Sequence, residues 1–189
     1  MKISIKDLFL APNLITLFRL FLILPIIYIF LNYNSIANSN YFVVSIILIA
    51  FISDISDGFV ARKTGQITEM GKLLDPLADK LLTAIIIISL WRIGLVPLEY
   101  FLILLSRDVV IFSGGIYLTS KTHIITASNY FGKVTIFSIG VYFLTLLLFS
   151  KGNLFSIIMM YFSGFLSVAS IFVYFFRGIK ILEGHGNIQ

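Results

Sequence analysis

Asp54, Asp57, Asp75 and Asp79 all fall within residues 53–80, SDISDGFVARKTGQITEMGKLLDPLADK, of a chain that is otherwise mostly apolar. The first pair is spaced i, i+3 and the second i, i+4. At about 100° per residue, the partners stand about 60° and about 40° apart, so each pair shares one helix face. Ionised carboxylates near hydrocarbon are costly, and like charges brought together add repulsion. A divalent cation removes both penalties. Oxygen donors without histidine or cysteine suit Mg²⁺ or Mn²⁺, with Ca²⁺ a further option. A calcium-binding helix–loop–helix is excluded by the spacing, because Thr64 stands where its bidentate glutamate belongs. A lone acid near a helix end is commonly a cap or an ion-pair partner, and Asp75 before Pro76 would suit an N-cap. Four acids on two faces ask for more than capping.

Small and basic residues accompany the aspartates. Gly58 and Ala61 are one helical turn apart and would let a ligand approach the backbone, although helix packing also uses such residues. Arg62 can fork onto phosphate oxygens, or simply anchor the chain at the membrane surface.

These residues must be held by membrane-spanning helices. Of the 189 residues, 59% are hydrophobic and 12% charged, against about 45–50% and about 25% in soluble domains. Mean hydropathy is +1.02. The sequence predicts an all-α integral membrane protein with six spans, near 13–32, 41–61, 80–97, 99–119, 133–150 and 154–177. A short interfacial helix is expected over 3–10, and residues 1–189 read as a single domain. The first span carries Arg19 and is too long for a signal-peptide core, so it is expected to be retained. The chain has no cysteine, which rules out disulfides and thiolate chemistry. Its net charge of +5 fits basic loops facing anionic lipid better than nucleic acid. With six spans, Lys2, Lys6, Arg62, Lys63, Lys72, Lys121, Lys133, Arg177 and Lys180 share one side, and Arg92 and Lys151 the other. That asymmetry predicts cytoplasmic termini and a cytoplasmic aspartate-bearing loop. The short loop between the second and third spans should bring the four carboxylates together.

Taken together the residues spell D-x2-D-G-x2-A-R-x8-G-x3-D-x3-D, from Asp54 to Asp79. This signature resembles that of the CDP-alcohol phosphatidyltransferase family without a departure. PNLITLFRL at 12–20 and GKLLDPLADK at 71–80 are similar to its phosphatidylglycerophosphate synthase and cardiolipin synthase branch. The resemblance implies a six-helix membrane enzyme, a homodimer, open to the cytoplasm and the inner leaflet. It would move a phosphatidyl group from CDP-diacylglycerol to an alcohol and release CMP. It further implies that Asp54, Asp57, Asp75 and Asp79 hold two metal ions, Mg²⁺ or Mn²⁺, and that Asp79 is the base. Asp57, Gly58, Ala61, Arg62 and Gly71 would line the CDP-lipid site.

The acceptor site is expected from Arg107, Lys133 and Arg19, since a phosphorylated alcohol needs cations beyond the metals. Arg107 falls in mid-span, where an arginine is costly and usually faces a polar cavity. Its neighbour Asp108 is not expected to pair with it, because adjacent residues diverge around a helix. Lys133 also suits a surface anchor, Arg19 could pair with a signature aspartate, and Asn13 could be a cap. Glycerol 3-phosphate is the expected acceptor, with phosphatidylglycerol or inositol phosphate as alternatives. Arg107–Asp108 is closer to cardiolipin synthases than the Arg–Glu common in bacterial phosphatidylglycerophosphate synthases. Among other classes, a cation transporter would place its acids near mid-bilayer on broken helices. His123 and His185 read as surface residues. Gly114–Gly115 and Ser163, Gly164 and Ser167 form small-residue faces suited to close helix packing or a dimer seam.

Overall fold

The computed structural model describes residues 10–64, 69–122, 130–149 and 152–186. The side chains of 58, 61, 62, 64, 69, 72, 73, 76 and 184–186 are not among those described, and the expected interfacial helix over 3–10 lies outside the described residues. The elements are α1 (Ala11–Phe21), α2 (Ile23–Leu31), α3 (Ser39–Thr64), α4 (Glu69–Arg92), α5 (Leu98–Thr122), α6 (Tyr130–Phe149) and α7 (Leu154–Gly186), with no strand among the described residues.

Three of the helix boundaries have a local cause in the sequence. Pro12 sits in the first turn of α1, where its missing N–H costs nothing. The break between α1 and α2 falls at Leu22, just before Pro25. The proline ring conflicts with the carbonyl four residues earlier, that of Phe21, and interrupts the helix there. The two helices still form one apolar stretch, Ala11–Leu31. At the far end of α4, Gly94 adopts a left-handed conformation with φ of 76°. Its N–H donates to the Trp91 carbonyl at 2.9 Å, and that of Leu95 donates to Leu90 at 3.0 Å. This paired closure satisfies carbonyls that the helix end would otherwise leave open.

Among the described residues, five stretches are long and apolar enough to cross a membrane: Ala11–Leu31, Ser39–Asp57, Leu98–Thr122, Tyr130–Phe149 and Leu154–Glu183. α4 is not among these stretches and carries Asp75, Asp79 and Lys80 ahead of its apolar half. It begins eleven positions before the expected span of 80–97, at Glu69, and stops before the turn. Hydropathy marks only the greasy part of a helix, whereas the backbone hydrogen bonding continues through the polar turns. Large apolar side chains are turned outward, with Phe137 72% and Phe165 71% exposed. Water would penalise such a surface and lipid tails would cover it. The protein is an all-α, multi-pass membrane protein.

The chain forms two compact units, Met1–Val96 and Pro97–Gln189. In the first, α1 packs against both α3 and α4, and those two make no direct backbone contact among the described residues. Ile26, Val43, Ala78 and Leu90 fill its core. In the second, α7 packs on both α5 and α6. There the Tyr100 and Tyr142 rings meet edge to face, with centroids 4.8 Å apart. The small face of α7 is used inside this unit: Ser163 and Ser167 are fully buried, and the Tyr100 ring lies 3.6 Å from a β-carbon built on Gly164.

Candidate active site

The first helix, rather than the loop alone, assembles the carboxylates. α1 buries Asn13, Thr16 and Arg19 along one side of an otherwise apolar helix. Standing between α3 and α4, it presents these groups to the Asp54/Asp57 pair of α3 and the Asp75/Asp79 pair of α4. The two helices therefore meet through α1, where a short connection alone had been expected to join them.

Arg19 is only 1% exposed. Its Nη1 reaches Asp79 Oδ1 at 2.6 Å and Asp54 Oδ1 at 3.1 Å, while Nη2 donates to Asp57 Oδ2. Nε lies 3.5 Å from Ser53 Oγ, a weak contact. One planar guanidinium thus serves three carboxylates from two helices, a geometry that a lysine cannot reproduce. The Thr16 hydroxyl donates to Asp75 Oδ1 at 2.6 Å. Its other oxygen neighbours, Pro12 O at 3.2 Å and Asp57 Oδ2 at 3.4 Å, are farther away, and a hydroxyl has one proton to give. Asp57 is buried, whereas the Asp54 and Asp79 side chains are 47% and 52% exposed. The cluster is therefore sealed on the Asp57 side and open at the other two.

Asp75 sits within the body of α4 and not at its start, so it is not an N-cap. Gly71, in the first turns of the same helix, is buried. The side chains of Gly58, Ala61 and Arg62 lie outside the described residues, as do His123 and the His185 side chain.

The donor set fits a hard cation in chemistry. It offers carboxylate oxygens from two helices and a neighbouring hydroxyl, and Arg19 offsets one of the four charges when all are ionised. Among the described residues no three acids close into a cage of metal-ligand dimensions; their oxygens turn to Arg19 and Thr16.

Arg107 and Lys133 belong to the second unit. Arg107 is buried on α5, with Nε 3.1 Å from Ser170 Oγ of α7 and Nη1 2.7 Å from Asp108 Oδ1. The neighbouring pairing set aside on helical geometry does form, because the long arginine side chain can bend back along the helix to its neighbour. Lys133 is exposed in the first turn of α6. Sequence reasoning did not assign Thr16, Ser53 or Ser170 a partner. The polar side of α1 was the available signal for Thr16, since three polar residues recur there at i, i+3 and i+6.

The arrangement gathers four acids from two helices around one buried arginine, with two of the acids open to solvent. A family model for CDP-alcohol phosphatidyltransferase matches residues 9–172, and the chain belongs to that family. It is a transferase of phospholipid biosynthesis. The chain is 41% identical over 130 residues to a protein of Aquifex aeolicus named CDP-diacylglycerol–glycerol-3-phosphate 3-phosphatidyltransferase, covering 66% of this chain and 68% of that one. A Mycoplasma pneumoniae protein of the same name is 33% identical over 139 residues, covering 65% of this chain and 60% of its own length. Human cardiolipin synthase (CMP-forming) is 32% identical over 112 residues, 59% of this chain and 36% of the human one.

Proposed function

We propose that the chain transfers the phosphatidyl group of CDP-diacylglycerol to glycerol 3-phosphate, giving phosphatidylglycerophosphate and CMP. The observation that carries this reading is the gathering of Asp54, Asp57, Asp75 and Asp79 about α1. The names of the Aquifex and Mycoplasma relatives support the acceptor. The acceptor oxygen bonds to the phosphatidyl phosphorus, the bond from that phosphorus to CMP breaks, and Asp79, half-exposed, takes the hydroxyl proton. The four aspartates would hold two Mg²⁺ or Mn²⁺ ions, which when bound supply positive charge for the diphosphate and its departing oxygen. Arg19, expected from the sequence either among the acceptor's cations or as partner of a signature aspartate, takes the second role in this reading. With Thr16 it orients the carboxylates, while Asp57, Gly58, Ala61, Arg62 and Gly71 bind the donor. Arg107 and Lys133 supply positive charge for the acceptor phosphate. The excess of basic residues on one side supports a cell-membrane enzyme with a cytoplasmic site and termini. A homodimer completes the proposal.

A second reading, phosphatidylglycerol as acceptor, is favoured by Arg107–Asp108 and by the human relative's name. Purified protein with CDP-diacylglycerol, Mg²⁺ and a panel of alcohols separates the two. CMP release with glycerol 3-phosphate, lost in excess chelator, is the expected result. Release only with phosphatidylglycerol, or with an unphosphorylated alcohol, would overturn the acceptor assignment. Full activity in chelator would overturn the metal site.

A further inference from the structure

Two hydrogen bonds stitch α5 to α7 in a repeating register. Tyr100 OH lies 2.7 Å from Ser163 Oγ, and Arg107 Nε lies 3.1 Å from Ser170 Oγ. Both partners advance by seven residues between the two contacts, so α5 and α7 run in the same direction with one polar contact per heptad. Each serine is pre-set as an acceptor. Ser163 gives its own proton to the Met159 carbonyl at 2.6 Å, and Ser170 gives its proton to the Ser167 carbonyl at 2.7 Å. The lone pairs left over face α5, where one meets a tyrosine hydroxyl and the other a guanidinium. Both serines are fully buried, so no water competes for the contact.

The contact at Ser170 differs in what it holds. A mid-helix arginine can swing through many rotamers, and a phosphate-binding role needs one of them. Ser170 fixes Nε, and Asp108, 66% exposed, takes Nη1. The Nη2 edge is engaged by no other described residue. Fixing Nε sets the plane of the guanidinium and hence the direction of that edge, because the group is rigid and planar.

We infer that Ser170 is a positioning residue, holding the Arg107 guanidinium in the orientation in which it receives the acceptor's phosphate. This rests on the reading of Arg107 as an acceptor-binding residue. Ser163 provides a matched control, since it makes the same type of bond in the same helix pair without touching Arg107.

The test measures KM and kcat of the full chain for glycerol 3-phosphate and for CDP-diacylglycerol in Arg107→Ala, Ser170→Ala and Ser163→Ala. Ser170→Ala should raise KM for glycerol 3-phosphate about tenfold, the order expected when one hydrogen bond to a charged group is lost. KM for CDP-diacylglycerol should stay within about twofold, and Ser163→Ala should leave both KM values unchanged. If Arg107→Ala raises the acceptor KM but Ser170→Ala behaves like Ser163→Ala, the positioning role is wrong and the acceptor reading stands. Equal rises in both serine variants would mean general loosening of the helix pair, which also overturns it. An unchanged acceptor KM in Arg107→Ala overturns the acceptor reading and the inference together.

Discussion

Arg19 carries more of the site than any other single side chain. It is buried, charged, and bonded to three of the four signature aspartates. Removing one partner of a buried ion pair typically costs about 3–5 kcal/mol, since the other charge is left uncompensated. Half-exposure of Asp54 and Asp79 places Arg19→Met near the lower end of that range. Thermal unfolding of metal-free protein in detergent should reveal a clear loss of stability, and an unchanged melting temperature would contradict the network. Asp79→Asn tests a different role. As the base, it should lower turnover by about 10²–10⁴-fold while CDP-diacylglycerol binding suffers much less. A loss confined to donor affinity would make Asp79 a ligand only. The aspartates themselves were legible in the sequence because their spacing alone places each pair on one helix face. That Arg19 could pair with a signature aspartate was legible too. That it serves three of them from two helices was not, because spacing within one helix does not say which other helices it faces.

Among the elements, the helices were legible and their polar ends were not. Apolar runs marked the spans, but α4 extends through Asp75 and Asp79 back to Glu69, where hydropathy has no signal. The placement of α1 between α3 and α4 is a tertiary fact that no local pattern encodes. Turn chemistry was more informative, and the Gly94–Pro97 break is a closed helix end built on a left-handed glycine. A β-carbon at Gly94 would meet nothing within 4 Å, so a substitution there probes backbone strain alone. Gly94→Ala should cost about 1–2 kcal/mol, the usual penalty for an L-residue in the left-handed region. Chemical or thermal unfolding checks this, and an unaffected or raised stability would mean that the turn does not hold its conformation.

For the whole molecule, the distribution of basic residues predicts which way the chain faces. Asn34 lies exposed in the connection between α2 and α3, and Lys121 lies exposed near the end of α5. Because the protein has no cysteine, Asn34→Cys and Lys121→Cys each introduce a single reactive thiol. A membrane-impermeant thiol reagent on intact cells should label Asn34→Cys and spare Lys121→Cys until the cells are opened. The reverse pattern would place the carboxylate site outside. Family membership sets the class of reaction, and the proposal is that it takes place at the gathered carboxylates. The most direct test is CMP release from CDP-diacylglycerol and glycerol 3-phosphate in Mg²⁺, measured side by side for the unaltered protein and for Asp75→Asn. That substitution is nearly isosteric and keeps an oxygen for Thr16 to donate to. The account predicts that the unaltered protein releases CMP and forms phosphatidylglycerophosphate, while the folded variant releases essentially none. Undiminished CMP release by Asp75→Asn would contradict it.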